Sequence, residues 1–136
     1  MWGPNATTND YYSDLVMNIE DLRGYCLSLP GASECFPFDE VTLVFKVGGK
    51  MFALTYLDGE LQVNLKCNPE MAVDLREQYA DVLPGYHMSK KHWNTVIING
   101  SIPDSTINQW VKNSFDLVFA SLPKSQQQKI IAEQQK

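Results

Sequence analysis

Few side chains in this sequence could do chemistry, and they are scattered. His87 and His92 stand five residues apart in a loop-to-strand segment. That spacing does not put both imidazoles on one helical face, as H-E-x-x-H does, so no metal site is expected from them. Cys67 could be a thiol nucleophile only with a distant histidine as its base. A lone cysteine at a strand end reads more simply as a small buried hydrophobe. Glu34, Asp39 and Glu40 fall in a loop before a strand, where solvation or capping is the ordinary role. The sequence contains no G-x-x-x-x-G-K-S/T, no G-x-G-x-x-G and no G-x-S-x-G. Phosphate-cradling loops and nucleophile elbows are therefore absent, and Gly48-Gly49-Lys50 reads as a hairpin turn. No catalytic residue, metal ligand or cofactor is expected, and the chain reads as a non-enzyme.

The lysines carry more information. Residues 41–57, 61–69 and 82–103 hold Lys46, Lys50, Lys66, Lys90 and Lys91 and no carboxylate. Extending the first two windows across the turn Asp58-Gly59-Glu60 removes much of that excess. The string His87-Met88-Ser89-Lys90-Lys91-His92-Trp93-Asn94 mixes cations, hydrogen-bond donors and an aromatic ring, the groups that neutralise phosphates and stack on bases. The competing reading makes Trp93 a core residue and the lysines a solvated rim. Global charge opposes nucleic acid: eleven Lys and Arg against sixteen Asp and Glu give a net charge of −5 and a pI near 4.9, which repels a polyanion at long range.

Elements that would position these residues follow from periodicity. Asn18 with Asp21 resembles a capping box, and Ile19, Leu22, Cys26 and Leu29 recur at helical spacing until Pro30-Gly31. Residues 31–40 read as a loop. Residues 41–47, 51–57 and 61–66 alternate as three strands joined by Gly48-Gly49 and by Asp58-Gly59, a strong hairpin signal. Asn68-Pro69 opens a second helix bearing Met71, Leu75 and Tyr79. Residues 80–91 read as a loop around Pro84-Gly85, and Trp93–Ile98 as a strand. A longer helix buries a stripe of Ile107, Trp110, Val111, Ser114, Leu117, Val118 and Ser121 before Pro123. The expected order is α-β-β-β-α-β-α, an α+β fold with a mainly antiparallel sheet packed against helices on one face.

At 136 residues, 44% hydrophobic and 20% charged, the chain can bury one core unaided. Residues 17–123 are expected to form a single domain, preceded by a flexible extension over 1–16. Residues 124–136 read as a tail or short helix, in which Ile130-Ile131 docks a last turn or leaves it frayed. Cys26, Cys35 and Cys67 are odd in number and match no C-x-x-C spacing, so they read as reduced thiols. No leader is apparent and no stretch approaches the ~20 apolar residues of a membrane span, so the expected location is the cytoplasm and no membrane contact is expected.

Several motifs in order resemble the MmcQ/YjbR family: Gly49-Lys50-Met51-Phe52-Ala53, Val63-Asn64-Leu65-Lys66 with Asn68-Pro69-Glu70, Pro84-Gly85-Tyr86-His87-Met88, Lys91-His92-Trp93-Asn94, and Ser114-Phe115-Asp116-Leu117-Val118. The resemblance runs from about Met17 to Pro123. It implies a CyaY-like α+β fold and a small bacterial cytoplasmic protein of a DNA-binding group, without enzymatic activity or cofactor. The positions matching its polar motif are Lys66, His87, Lys91, His92, Trp93 and Asn94, with Lys50 on the hairpin and Lys90 within the same string. On an acidic body these lysines imply weak, salt-sensitive binding. The alternative is a protein-interaction domain with no nucleic-acid role, motivated by the Phe36-Pro37-Phe38 loop and an open sheet edge. A third reading, a small-molecule or enzymatic role, needs a concave pocket joining His87, His92 and Glu34.

Overall fold

In the computed structural model, which describes residues 16–135, helix α1 (Ile19–Ser28) starts at the expected cap. The Asn18 side chain accepts from the Asp21 amide at 2.8 Å, and the Asp21 carboxylate accepts from the Asn18 amide at 3.1 Å, satisfying two donors that a helix N-terminus leaves free. Helix α2 (Pro69–Gln78) is capped by Asn68, whose side chain accepts from the amides of Glu70 and Met71. Helix α3 (Asp104–Ala120) buries Ile107, Trp110, Val111, Ser114, Phe115 and Val118. Leu117, counted into that stripe from the sequence, is 41% exposed. Phe115 takes its place inward, because the apolar arc is centred one residue away. Pro123 separates α3 from α4 (Lys124–Gln134), and Ile130 packs partly against the core. The C-terminal segment is therefore a helix. Apart from Val16, the expected extension over residues 1–16 lies outside the described residues.

Six strands form one antiparallel sheet in the order β1-β2-β3-β4-β6-β5: β1 (Ala32–Cys35), β2 (Thr42–Val47), β3 (Lys50–Tyr56), β4 (Gln62–Lys66), β5 (Val82–Pro84) and β6 (Trp93–Ile97). The α+β reading with a mainly antiparallel sheet holds. The three central strands and β6 follow the expected pattern. Both edge strands, β1 and β5, fall in segments read as loop. Ala32-Ser33-Glu34-Cys35 has no β-branched or aromatic residue, and it becomes a strand by pairing with β2. Val82-Leu83-Pro84 ends in proline, which an edge strand tolerates because its N–H is not needed by a neighbour.

The register brings Leu43, Phe45, Ala53, Val63, Leu65, Val82 and Val96 to one face. α3 lies against β2, β3 and β4 on that face, α2 against β5 and β6, and α1 against β1. A bulge between Phe45 and Lys46 leaves Phe52 as an extra residue, and its ring meets Phe115 edge-on at 5.3 Å. Val44, Leu54, Asn64 and Thr95, on the other face, are also buried, so β2 reads as a nearly continuous buried run.

Cys26, fully enclosed on α1, has its thiol pushed up to about 12 by burial, from an ordinary 9.0. The folded chain thus holds this proton more tightly than the unfolded chain, and the contribution is complete below pH 9 and lost as pH rises through about 12. In urea unfolding above pH 9, stability should fall by about 1.4 kcal/mol per pH unit more in the wild type than in Cys26→Ala. Parallel pH profiles for the two proteins would refute this.

Candidate nucleic-acid interface

Strand direction decides where the lysines go. The antiparallel register places the end of β2, the start of β3, the end of β4 and the start of β6 at one end of the sheet. Lys46, Lys50 and Lys66 therefore share that end with the β5–β6 loop that carries Lys90 and Lys91. The opposite end receives the Asp58-Gly59-Glu60 turn, Asp39 and Glu40 before β2, and Asp81 before β5. Charges that interleave in the sequence are separated along the strands. Glu70 in the first turn of α2 and Asp116 on α3 also lie towards the lysine end, and Asp116 is paired with Lys112 at 2.6 Å.

Within this end, the β5–β6 loop is built by short-range hydrogen bonds. The Gly85 amide donates to the Trp93 carbonyl at 2.9 Å, and the His92 and Trp93 amides both donate to the Ser89 carbonyl at 3.2 and 2.9 Å. The Cys67 amide donates to the His92 carbonyl at 2.7 Å, tying the loop to the end of β4. The Thr95 hydroxyl accepts from the Tyr86 amide at 3.0 Å and donates to Asn64. Lys90 Nζ donates to the Gly85 carbonyl at 3.0 Å. His87 is the one non-glycine residue with positive φ among the described residues, at 58°, and such a conformation is costly for a residue with a Cβ. Its ring lies 4.0 Å from that of Tyr86.

His87, Lys90, Lys91, His92 and Lys50 are exposed and Lys66 is half-buried. Trp93 and Asn94 are different: both are buried, at 9% and 3% exposure, so neither can stack on a base or reach a phosphate. Trp93 follows the core reading, and Asn94 donates from Nδ2 to the Ala72 carbonyl at 3.2 Å, fastening α2 to β6. The exposed ring of this region is Tyr86, at 56% exposure, which also meets Tyr56 edge-on at 6.3 Å. Sequence reasoning missed it, because nothing in the residues around Pro84-Gly85 tells which ring the sheet leaves uncovered. Lys50 is turned towards α3, with Nζ 3.4 Å from the Ser121 hydroxyl, where it also faces the negative end of that helix.

The enzymatic constellations do not assemble. Glu34 lies on β1, at the opposite sheet edge from the β5–β6 loop, and its carboxylate is held by Arg23 at 2.5 Å, below the ordinary carboxylate range because of that hydrogen bond. It forms no pocket with His87 and His92. Burial raises the Cys67 thiol above its usual value, opposite to what a nucleophile needs. Among the described residues no three of His, Cys, Asp and Glu converge to hold a metal ion, the three cysteines are free, and no helix is long and apolar enough to cross a membrane.

The loop geometry depends on Gly85, where an added Cβ would come 2.8 Å from the Trp93 Cβ and 2.9 Å from its carbonyl oxygen. Since one of these neighbours is backbone, Gly85→Ala must displace the loop and should cost about 1–3 kcal/mol. Amide shifts confined to residues 85–95, with a lower urea midpoint, are expected, and an unchanged midpoint would count against this packing.

Residues 27–117 match the YjbR family model. The chain is 35% identical over 116 residues to the uncharacterized protein YjbR of Escherichia coli strain K12, covering 85% of this chain and 98% of that protein. It superposes on the crystal structure of Deinococcus radiodurans protein DR2400, a DUF419 domain, with a TM-score of 0.80 and 37% identity over 85% of this chain and 88% of that one. A Pseudomonas syringae protein gives a TM-score of 0.67 at 26% identity, over 75% and 99% of the two chains.

Proposed function

The chain belongs to the YjbR family, and from that premise we propose that it is a non-enzymatic cytoplasmic protein that binds DNA weakly through the lysine end of its sheet. The observation that carries this reading is the separation of charge along the strands, with Lys50, Lys66, Lys90 and Lys91 at one end and Asp39, Glu40, Asp58, Glu60 and Asp81 at the other. Duplex DNA meets the positive end locally although the molecule is acidic as a whole. Lys50, Lys66, Lys90 and Lys91 neutralise phosphates, His87 and His92 donate ring N–H hydrogen bonds to them, and Tyr86 offers a ring for contact with sugar or an unstacked base. Trp93 and Asn94 serve this surface from beneath, by holding the loop and α2 in place.

The test is a fluorescence anisotropy titration of a labelled duplex at about 50 mM salt, a regime in which phosphate contacts are strong. Wild type should bind, and the triple variant K66Q/K90Q/K91Q should lose measurable binding while keeping its unfolding midpoint. Equal binding by both proteins would remove the lysine end from the interface. A protein-interaction role is the second reading, favoured by Phe36 and Phe38, which are 48% and 67% exposed beside the edge strand β1. That role predicts no duplex binding at all.

A further inference from the structure

α2 and α3 lie on the same face of the sheet but over different strands, α2 over β5 and β6 and α3 over β2, β3 and β4. The wedge between them is a cavity of about 340 Å³, floored by Leu65, Asn94 and Val96 and walled by Leu75, Trp110 and Leu117. One end is closed, because Tyr79 at the end of α2 meets Trp110 edge-on at 5.1 Å. At the other end Asn68, Met71, Leu117 and Ala120 are exposed and form a mouth. A volume in this range with a mainly apolar lining and few polar groups is that of a small-molecule site.

Asn94 supplies the second observation. Its Nδ2 donates to the Ala72 carbonyl, and because that carbonyl can only accept, the carboxamide orientation is dictated. Oδ1 is then left buried with no hydrogen-bond partner, at a residue that forms part of the cavity wall and is 3% exposed. Buried acceptors are normally satisfied. Nothing among the lining side chains donates to this one, and a ligand carrying one donor would.

We propose that this cleft binds a small, uncharged, largely apolar molecule with a single N–H or O–H donor, of the size and type of indole or phenol, whose donor meets Asn94 Oδ1. Trp110 and the Met71 thioether suit the flat ring faces and edges of such a ligand. The assignment does not rest on the nucleic-acid reading, although Lys66 borders both the cavity and that surface.

The test titrates the full chain with indole and with indene, its carbon isostere lacking the N–H, following methyl resonances by NMR. Indole should shift the methyls of Leu65, Leu75, Val96 and Leu117, with indene roughly three- to tenfold weaker, as the loss of one hydrogen bond implies. Leu117→Trp, at an exposed position of the mouth, should abolish indole binding with no change in the unfolding midpoint. Equal affinities for the two compounds, or wild-type affinity in Leu117→Trp, would overturn the assignment. If neither compound moves these methyls, the small-molecule site falls.

Discussion

Raising monovalent salt from about 50 to about 200 mM should weaken duplex binding roughly a hundredfold, if four cations of the lysine end each displace one condensed counterion. The logarithm of the affinity falls against the logarithm of salt with a slope of about −0.9 per phosphate neutralised, so Lys66→Gln or Lys91→Gln alone should flatten the line by about 0.9. The acidic end adds a second signature. A strand of five residues spans about 17 Å, beyond the Debye length of about 10 Å at 0.1 M but within the about 30 Å reached at 0.01 M. Near physiological salt the distant acidic end is therefore screened, and bound DNA would meet the lysines with Glu70 and the Lys112-paired Asp116 as nearby carboxylates. At very low salt Asp39, Glu40, Asp58, Glu60 and Asp81 re-enter as repulsion, and the plot should curve towards a plateau. A slope near zero across the whole range would mean that phosphates are not contacted.

How these charges group could not be read along the chain, because the grouping is a property of register. Asp58 and Glu60 are sequence neighbours of the strands that carry Lys50 and Lys66, and a window drawn across them offsets two of its three lysines. Pairing Ala53 with Leu65 and Lys66 with Trp93 sends the turn to one end and the lysines to the other. What was readable was local: the Asn18 and Asn68 caps, the Asp58-Gly59 hairpin and the alternation of the central strands are decided within a few residues. β1 was not readable because its sequence lacks strand character and β2 imposes it, and β5 because three residues ending in a proline turn give no periodicity. The interface residues divide in the same way. Lysines can be assigned to the surface from type alone, whereas whether Trp93 or Tyr86 is the exposed ring depends on which one the sheet covers. Within the segment that carries the MmcQ/YjbR motifs, burial separates Trp93 and Asn94, which hold it, from the side chains that face outward.

Phe52→Ala should be the most destabilising single substitution in the central sheet, at about 3–5 kcal/mol. The ring is fully buried between Phe45, 6.4 Å away, and Phe115 at 5.3 Å, so its loss removes transfer energy and opens a cavity that three strands cannot easily close. The backbone at this position is committed as well. The Ser114 hydroxyl donates to the Phe52 carbonyl at 2.5 Å and accepts from the Lys66 amide at 2.9 Å, one buried group joining α3 to β3 and β4. Relaxation into the cavity would pull on that junction, and with it on the end of β4 from which Lys66 projects. The bulge makes the prediction sharp: by strict alternation Phe52 would face away from Ala53, yet both belong to the same core, so the extra residue is what admits the ring. A loss of this size is a large share of the 5–15 kcal/mol that holds a typical domain together. Urea unfolding of Phe52→Ala against wild type measures it. Leu83→Ala, at a 46% exposed edge position, should stay within about 0.5 kcal/mol. If the two substitutions cost the same, the aromatic cluster is not what fixes α3 on the sheet.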